Sequence, residues 1–94
     1  MRYAYPACFY PEDDGRYSVE FVDLPLATFG DDFADALAMA ADAAVGRILL
    51  MRESGEELPP PSALADITPN ASGVAALVNV DLPTVRDNRA ACLA

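Results

Sequence analysis

The sequence predicts an α+β fold with the element order β-β-β-α-β, in which one long helix lies on one face of a mixed four-stranded sheet. Two segments, residues 3–11 and 16–22, alternate between two faces as strands do, and they flank the turn sequence PEDDG. Residues 33–51 carry an apolar stripe at helical spacing, and residues 74–80 form a nearly continuous apolar run. A chain of 94 residues accommodates one such domain.

The first two strands are predicted to form a hairpin. In the first strand one face carries Tyr3, Tyr5, Ala7 and Phe9, and the other carries Ala4, Pro6, Cys8 and Tyr10. In the second strand one face carries Tyr17, Val19 and Phe21, and the other carries Ser18, Glu20 and Val22. Pro11 presets φ and Gly15 accepts a positive φ, so residues 11–15 suit a tight turn. Because Pro6 has no amide hydrogen, we expect either a bulge there or an amide position that faces out of the ladder.

The predicted helix begins at Asp31 or Asp32. Aspartate is a strong N-cap, and acidic residues in the first turn interact favourably with the helix dipole. The apolar stripe consists of Phe33, Leu37, Ala40, Ala44, Ile48 and Met51. Gly55 suits a left-handed C-cap, whereas Gly46 in the helix interior costs about 1 kcal/mol relative to alanine.

The remaining segments complete the sheet. Residues 26–29 allow a short third strand before the helix. After the helix, Pro59, Pro60 and Pro61 exclude a helix or a central strand, so an extended linker is expected. A proline-rich ligand for an aromatic groove is the alternative interpretation, but a stiff crossover explains the same residues. Residues 74–80 suit an interior strand, and a right-handed crossover would place it parallel to the first strand, in the order 3-2-1-4.

The chain is strongly acidic. It has fifteen Asp and Glu residues against six Arg, no Lys and no His, giving a net charge of −9. Phosphate backbones repel such a surface, so we expect no direct binding of nucleic acid by this chain. A basic protein partner fits better, because opposite charges steer association, although acidic residues also serve solubility alone. The apolar runs are too short to span a bilayer and the N-terminus does not resemble a signal peptide, so we expect a cytoplasmic protein without a membrane partner.

Apolar side chains occur on both faces of the predicted strands, whereas one helix covers one face. An uncovered apolar sheet face on a small domain marks an interface. We therefore expect a homo-oligomer, at least a dimer formed through the sheet or its edge, or a protein partner on this face.

Four segments in order resemble the HicB-like antitoxin family: YPACFYPEDDGRYSVEFVDLP, TFGDDFADALAMAADA, GEELPPPS and ALVNVDLP. The resemblance covers about residues 3–83. It implies a degenerate, ribonuclease-H-like fold that has lost catalysis. It also implies neutralisation of HicA, a small basic mRNA interferase, by occlusion of its RNA site. Where the family commonly has Gly-Cys after Asp-Leu-Pro, this chain has Leu26 and Ala27, which is expected to alter the third strand without changing the fold.

Many members of the family continue into a ribbon-helix-helix or helix-turn-helix segment that binds DNA. Here the last residues read TVRDNRAACLA. We expect residues 1–83 to form the HicB-like globular domain and residues 84–94 to form a C-terminal tail without a complete DNA-binding domain. The resemblance therefore does not imply that this chain binds DNA or regulates an operator.

An enzyme is the alternative that a ribonuclease-H-like fold raises. Two-metal nucleases need several converging carboxylates, one of them in the first strand, but residues 3–11 contain none. Glu20, Asp42 and Asp81 lie on different elements that need not meet. Cys8 has no histidine to activate it, so we expect a packing role for it and reduced cysteines throughout. No catalytic residue, metal site or cofactor is predicted.

The predicted partner-binding residues are the carboxylates around the hairpin, namely Glu12, Asp13, Asp14, Glu20 and Asp23. They cluster at one turn and the loop after the second strand, where a basic surface would meet them. The alternative is that Asp13 and Asp14 only form the turn and that Glu20 is solvated. At the level of function, the alternative is a stand-alone oligomeric HicB-like binding or regulatory domain without a cognate toxin.

Overall fold

The computed structural model describes residues 2–70 and 72–82. The elements are β1 (Arg2–Pro11), β2 (Tyr17–Phe21), β3 (Ala27–Gly30), α1 (Phe33–Glu53), a short 3₁₀ helix (Leu64–Asp66) and β4 (Val74–Asp81). This order confirms the predicted α+β fold. The predicted tail, residues 84–94, lies outside the described residues, and so does Cys92.

The four strands form one sheet in the order β3-β2-β1-β4, as predicted. The predicted direction of β4 was wrong, because β4 pairs antiparallel to β1 and the sheet is antiparallel throughout rather than mixed. The linker explains the difference. It contacts Tyr5 through Pro59, near the start of β1, and it reaches the ring of Tyr10 at Gly73, near the end of β1. The linker thus returns the chain along the sheet, and β4 starts beside Phe9 and runs back.

Pro6 lies in the middle of the sheet without breaking it. The β1–β4 register continues past it without interruption, so the pairing of these two strands contains no bulge. On the other side, the β1–β2 register starts at Ala7 opposite Phe21. The Pro6 carbonyl still accepts a hydrogen bond from the Val22 amide at 3.2 Å, but proline has no N–H to return. The missing donor therefore coincides with the end of β2, and the ladder stops there.

The core lies between the sheet and α1. The strands and the residues next to them contribute Tyr5, Ala7, Phe9, Val19, Phe21, Leu24, Val78, Val80 and Leu82 to this core. The helix contributes Ala36, Ala40, Ala44, Ile48 and Met51. The predicted helical stripe is confirmed, with Phe33 and Leu37 half-buried at its start. The Phe33 ring contacts Phe9 and Tyr17 at centroid distances of 5.2 and 5.3 Å, geometries typical of favourable aromatic pairs.

Both ends of α1 are capped as expected from local chemistry. The Asp32 side chain accepts a hydrogen bond from the Asp35 amide at 2.7 Å, which satisfies one free donor of the first turn. At the other end, Gly55 has φ of 75°, and the Glu56 amide donates to the Met51 carbonyl at 2.9 Å. This is the bonding pattern of a Schellman motif, in which glycine avoids the cost of a positive φ.

The start of α1 lies directly on the end of β3. Gly30 is buried, and a Cβ atom at this position would lie 2.5 Å from the Ala36 Cα and 2.8 Å from the Asp35 carbonyl carbon. Such distances are too short for real contacts, so this crossing needs glycine. The contact fixes where the helix meets the sheet.

Candidate functional site

The β1–β2 turn is closed by two backbone hydrogen bonds. The Glu12 amide donates to the Arg16 carbonyl at 2.7 Å, and the Gly15 amide donates to the Glu12 carbonyl at 3.1 Å. Gly15 has φ of 91°, as the turn prediction required. This geometry leaves Asp13 and Asp14 exposed at the tip.

A groove of about 460 Å³ lies beside this turn. Its lining residues are Glu12, Asp13, Asp14, Arg16, Tyr17, Ser18 and Phe29. We call it the hairpin groove. It combines three carboxylates with two aromatic rings, of which Phe29 is 57% exposed. Sequence patterns did not identify Tyr17 and Phe29 as part of a site, because Phe29 joins it only through pairing with Ser18 across the β2–β3 ladder.

The carboxylates of the hairpin groove differ in how far they are neutralised. Asp14 accepts hydrogen bonds from the Arg16 amide at 3.1 Å and from Arg16 Nε at 3.0 Å. The backbone bond and then the side-chain bond lower the pKa of Asp14, so this carboxyl stays ionised. Glu12 Oε2 accepts a hydrogen bond from Ser18 Oγ at 3.0 Å. Asp13 has no hydrogen-bonding or ionic partner among the described residues. Because the groove is lined by three carboxylates and one guanidinium, it carries a net negative charge.

The other two predicted acids lie elsewhere. Glu20 is exposed on the sheet face opposite the helix, opposite Cys8 in the β1–β2 register. Asp23 lies half-buried beyond the far end of β2. Its two oxygens accept hydrogen bonds from the Ser62 amide at 2.9 Å and from Ser62 Oγ at 2.7 Å. The structure therefore brings Glu12, Asp13 and Asp14 together and gives Asp23 an additional intramolecular role.

A second contact also holds the proline linker to the sheet. The Tyr5 hydroxyl donates to the Pro59 carbonyl at 2.6 Å across a sequence separation of 54 residues. Burial raises the pKa of Tyr5 above 10.0, so the phenol remains protonated and able to donate at neutral pH. Together with the bonds between Asp23 and Ser62, this contact fixes where the linker crosses the end of the sheet.

Replacing Tyr5 with phenylalanine should lower the free energy of unfolding by about 1 kcal/mol, the net contribution typical of one hydrogen bond. Because the folded-state pKa is raised, the contribution is complete below pH 10.0 and is lost as the pH rises further. Urea unfolding at neutral and at alkaline pH measures both effects. Tyr17→Phe is the matched control, since the Tyr17 hydroxyl makes no hydrogen bond within the described residues. Equal stability of the two variants at neutral pH would contradict this prediction.

The sheet face opposite α1 carries exposed apolar side chains, as the strand patterns indicated. Val22, Phe29 and Leu77 are 44%, 57% and 47% exposed, whereas Pro6 and Cys8 on the same face are buried. Phe29 also lines the hairpin groove, so the groove is continuous with this face. We call the exposed apolar residues opposite α1 the open face.

Within residues 2–70 and 72–82, no three His, Cys, Asp or Glu side chains come together as a metal site would require. Cys8 is a free, buried cysteine, consistent with the expected packing role. No helix in the described part of the chain has the length and apolar character to cross a membrane.

An acidic groove that continues into an apolar sheet face is typical of domains that bind other proteins. Comparison with protein families gives a definite assignment. The model of the HicB-like antitoxins of bacterial toxin–antitoxin systems matches residues 5–91, and the chain belongs to this family.

Two solved structures are similar to this chain. A chain of a toxin–antitoxin complex from Streptococcus pneumoniae has a TM-score of 0.77 and 26% identity, with 90% of this chain and 76% of that chain covered. The N-terminal domain of the antitoxin HicB from Burkholderia pseudomallei has a TM-score of 0.73 and 28% identity, with 85% of this chain and 100% of that chain covered. No curated protein matches the sequence.

Proposed function

We propose that this chain is an antitoxin that binds a small basic HicA-type mRNA interferase and neutralises it by occluding its RNA site. Membership of the HicB-like family supports this proposal, as does similarity to a chain from a toxin–antitoxin complex. The observation that carries it is the hairpin groove, in which three carboxylates lie beside the exposed ring of Phe29 and the half-buried ring of Tyr17. With a net charge of −9, the chain is suited to a basic protein rather than to nucleic acid.

The antitoxin would occlude the RNA site of the toxin because carboxylates and RNA phosphates bind the same cationic side chains. A toxin that cleaves RNA needs cationic side chains to hold phosphates. The hairpin groove offers the same cations an alternative set of anions, with carboxylates to accept hydrogen bonds and the rings of Tyr17 and Phe29 to stack on an arginine. An antitoxin bound in this way competes with RNA for the same residues.

The predicted contact residues have different roles in this proposal. Glu12, Asp13 and Asp14 contact the partner from the groove, and Glu20 extends the negative charge onto the open face. Asp23 contributes to the negative electrostatic field of the surface, and it also holds the linker through Ser62. Apolar residues of the open face supply most of the binding energy, because buried apolar anchors outweigh rim charges in most interfaces.

The double variant Asp13→Asn, Asp14→Asn should reduce the association rate with the HicA-type toxin by about tenfold at low salt, because local charge steers encounter. The salt dependence of the rate should become flatter, while the fold is retained. Stopped-flow mixing with purified toxin at low and physiological salt measures both quantities.

The matched control is Asp42→Asn, Asp66→Asn, which changes the net charge equally at two exposed sites away from the groove. A similar loss of rate in both variants would assign the effect to the total charge, and an unchanged rate in the hairpin variant would exclude the tip as a contact. If the wild-type chain bound no basic toxin, the stand-alone oligomeric domain would replace the antitoxin as the interpretation.

A further inference from the structure

One side of α1 that does not face the sheet carries large exposed apolar residues. Met39 and Leu50 are 41% and 57% exposed, and they lie in one row along the helix with Ala43 and Gly46, at steps of four, three and four residues. A row with this spacing is the contact line of paired helices. We call these four residues the outer seam. Leu49, which is 38% exposed, widens the apolar surface on the solvent side of the seam.

Gly46, in the middle of the outer seam, is not required by any contact among the described residues. It lies in the helix interior, where glycine is destabilising relative to alanine, and a Cβ atom at this position would meet no atom within 4 Å. At Gly30, in contrast, the close approach of β3 and α1 requires glycine. The small side chains of Ala43 and Gly46 allow a second helix to approach the backbone of α1 closely, and such an approach accounts for the glycine.

Arg47 borders the outer seam on its sheet side. It lies four residues after Ala43 and three before Leu50, so it is a neighbour of both on the helix surface. The residue is half-buried, and its Nε atom is buried without a hydrogen-bond partner among the described residues. A buried N–H without an acceptor is costly, and more so when the group is charged. A carboxylate on a partner at the seam would supply that acceptor, because the long arginine side chain can turn Nε towards it.

The solvent side of the outer seam is acidic. Asp42 lies three residues after Met39 and four before Gly46, and Glu53 follows Leu50 by three residues. Both carboxylates are exposed, and neither has a hydrogen-bonding or ionic partner in the described part of the chain. These borders fit a helix that has cations along one flank and a carboxylate on the other. A second copy of this acidic chain would instead bring its own carboxylates to the seam, and nucleic acid would bring phosphates.

We propose that the outer seam binds an amphipathic helix of a partner protein, with the apolar side chains of that helix on the seam and its backbone close to Gly46. Lysines or arginines on one flank of the bound helix pair with Asp42 and Glu53, and a carboxylate on the other flank accepts a hydrogen bond from Arg47. Because α1 covers one face of the sheet and the open face is the other, the seam and the open face can be occupied at the same time. This binding site goes beyond the proposed antitoxin function and does not depend on it.

A designed peptide tests the site. The probe is an amphipathic peptide of about three heptads, with leucine along one face, lysine on one flank and glutamate on the other. Added to the isotope-labelled chain, it should give saturable NMR shift changes at residues 39–50, while the amides of Asp13 and Asp14 stay unchanged. The matched control peptide has the same composition in an order that forms no apolar face, and it should give no saturable change. Equal shifts with both peptides, no saturable shift with the first, or shifts centred on the hairpin groove would overturn the proposal.

Substitutions in the outer seam distinguish docking from a change in the fold. Gly46→Ala adds a methyl group at the point of closest approach and should weaken peptide binding by about tenfold, although its higher helix propensity makes the chain more stable. A purely structural role of Gly46 would not weaken binding while stability rises. Leu50→Gln should also weaken binding by about tenfold. Leu64→Gln is the matched control, because Leu64 is 37% exposed and lies outside α1. Unchanged affinity in either seam variant would contradict the proposal, as would equal losses in Leu50→Gln and Leu64→Gln.

Discussion

Replacing Gly30 with alanine is expected to lower the free energy of unfolding by about 3 kcal/mol, at the upper end of what overpacking costs. The new methyl group would overlap the backbone of Asp35 and Ala36, which the first turn of α1 holds rigidly. Backbone atoms cannot rotate away as a side chain does, so α1 must shift on the sheet. Phe33, in the same turn, would then lose its packing against Phe9. Urea unfolding followed by circular dichroism measures the loss.

Gly46→Ala is the matched control for this substitution. Gly46 is exposed within α1, and a Cβ at this position meets no atom within 4 Å. Since alanine has the higher helix propensity, this variant should be more stable than the wild type by about 1 kcal/mol. The same chemical change thus has opposite signs at the two sites. Comparable effects of both variants would show that helix α1 does not approach Gly30 as described.

Asp23→Ala should lower the free energy of unfolding by about 2 kcal/mol, because it removes a half-buried carboxylate that accepts two hydrogen bonds. The Ser62 amide loses its acceptor, and the linker loses one of its attachments to the sheet. We therefore expect faster hydrogen exchange at the Ser62 amide as well as reduced stability. Urea unfolding and hydrogen exchange by NMR measure the two effects separately.

Two further variants define the contribution of this contact. Ser62→Ala removes the hydroxyl bond but keeps the backbone bond to Asp23. It should therefore lower the free energy of unfolding by about half as much as Asp23→Ala does. Asp42→Ala removes an exposed carboxylate that has no partner in the described residues, and it should change stability by less than about 0.5 kcal/mol. An Asp23→Ala variant as stable as Asp42→Ala would rule out the anchoring role.

Much of the fold was predictable because it depends on near neighbours in the sequence. The two faces of β1 and β2, the turn at Gly15 and the caps at Asp32 and Gly55 follow from residue spacing and from the φ that each residue permits. The hairpin groove was predictable only in part. Its carboxylates belong to one turn, whereas Phe29 arrives from β3 through strand pairing.

The sequence by itself determined the elements, their order and the alternation of β1 and β2 between two faces. The tertiary structure decided the direction of β4, since a proline-rich linker permits either direction until it is anchored. Tyr5 and Asp23 anchor the first part of the linker, at sequence separations of 54 and 39 residues, and Gly73 lies against the Tyr10 ring near the other end of β1. Periodicity describes contacts within a few residues and carries no information on such distant pairs.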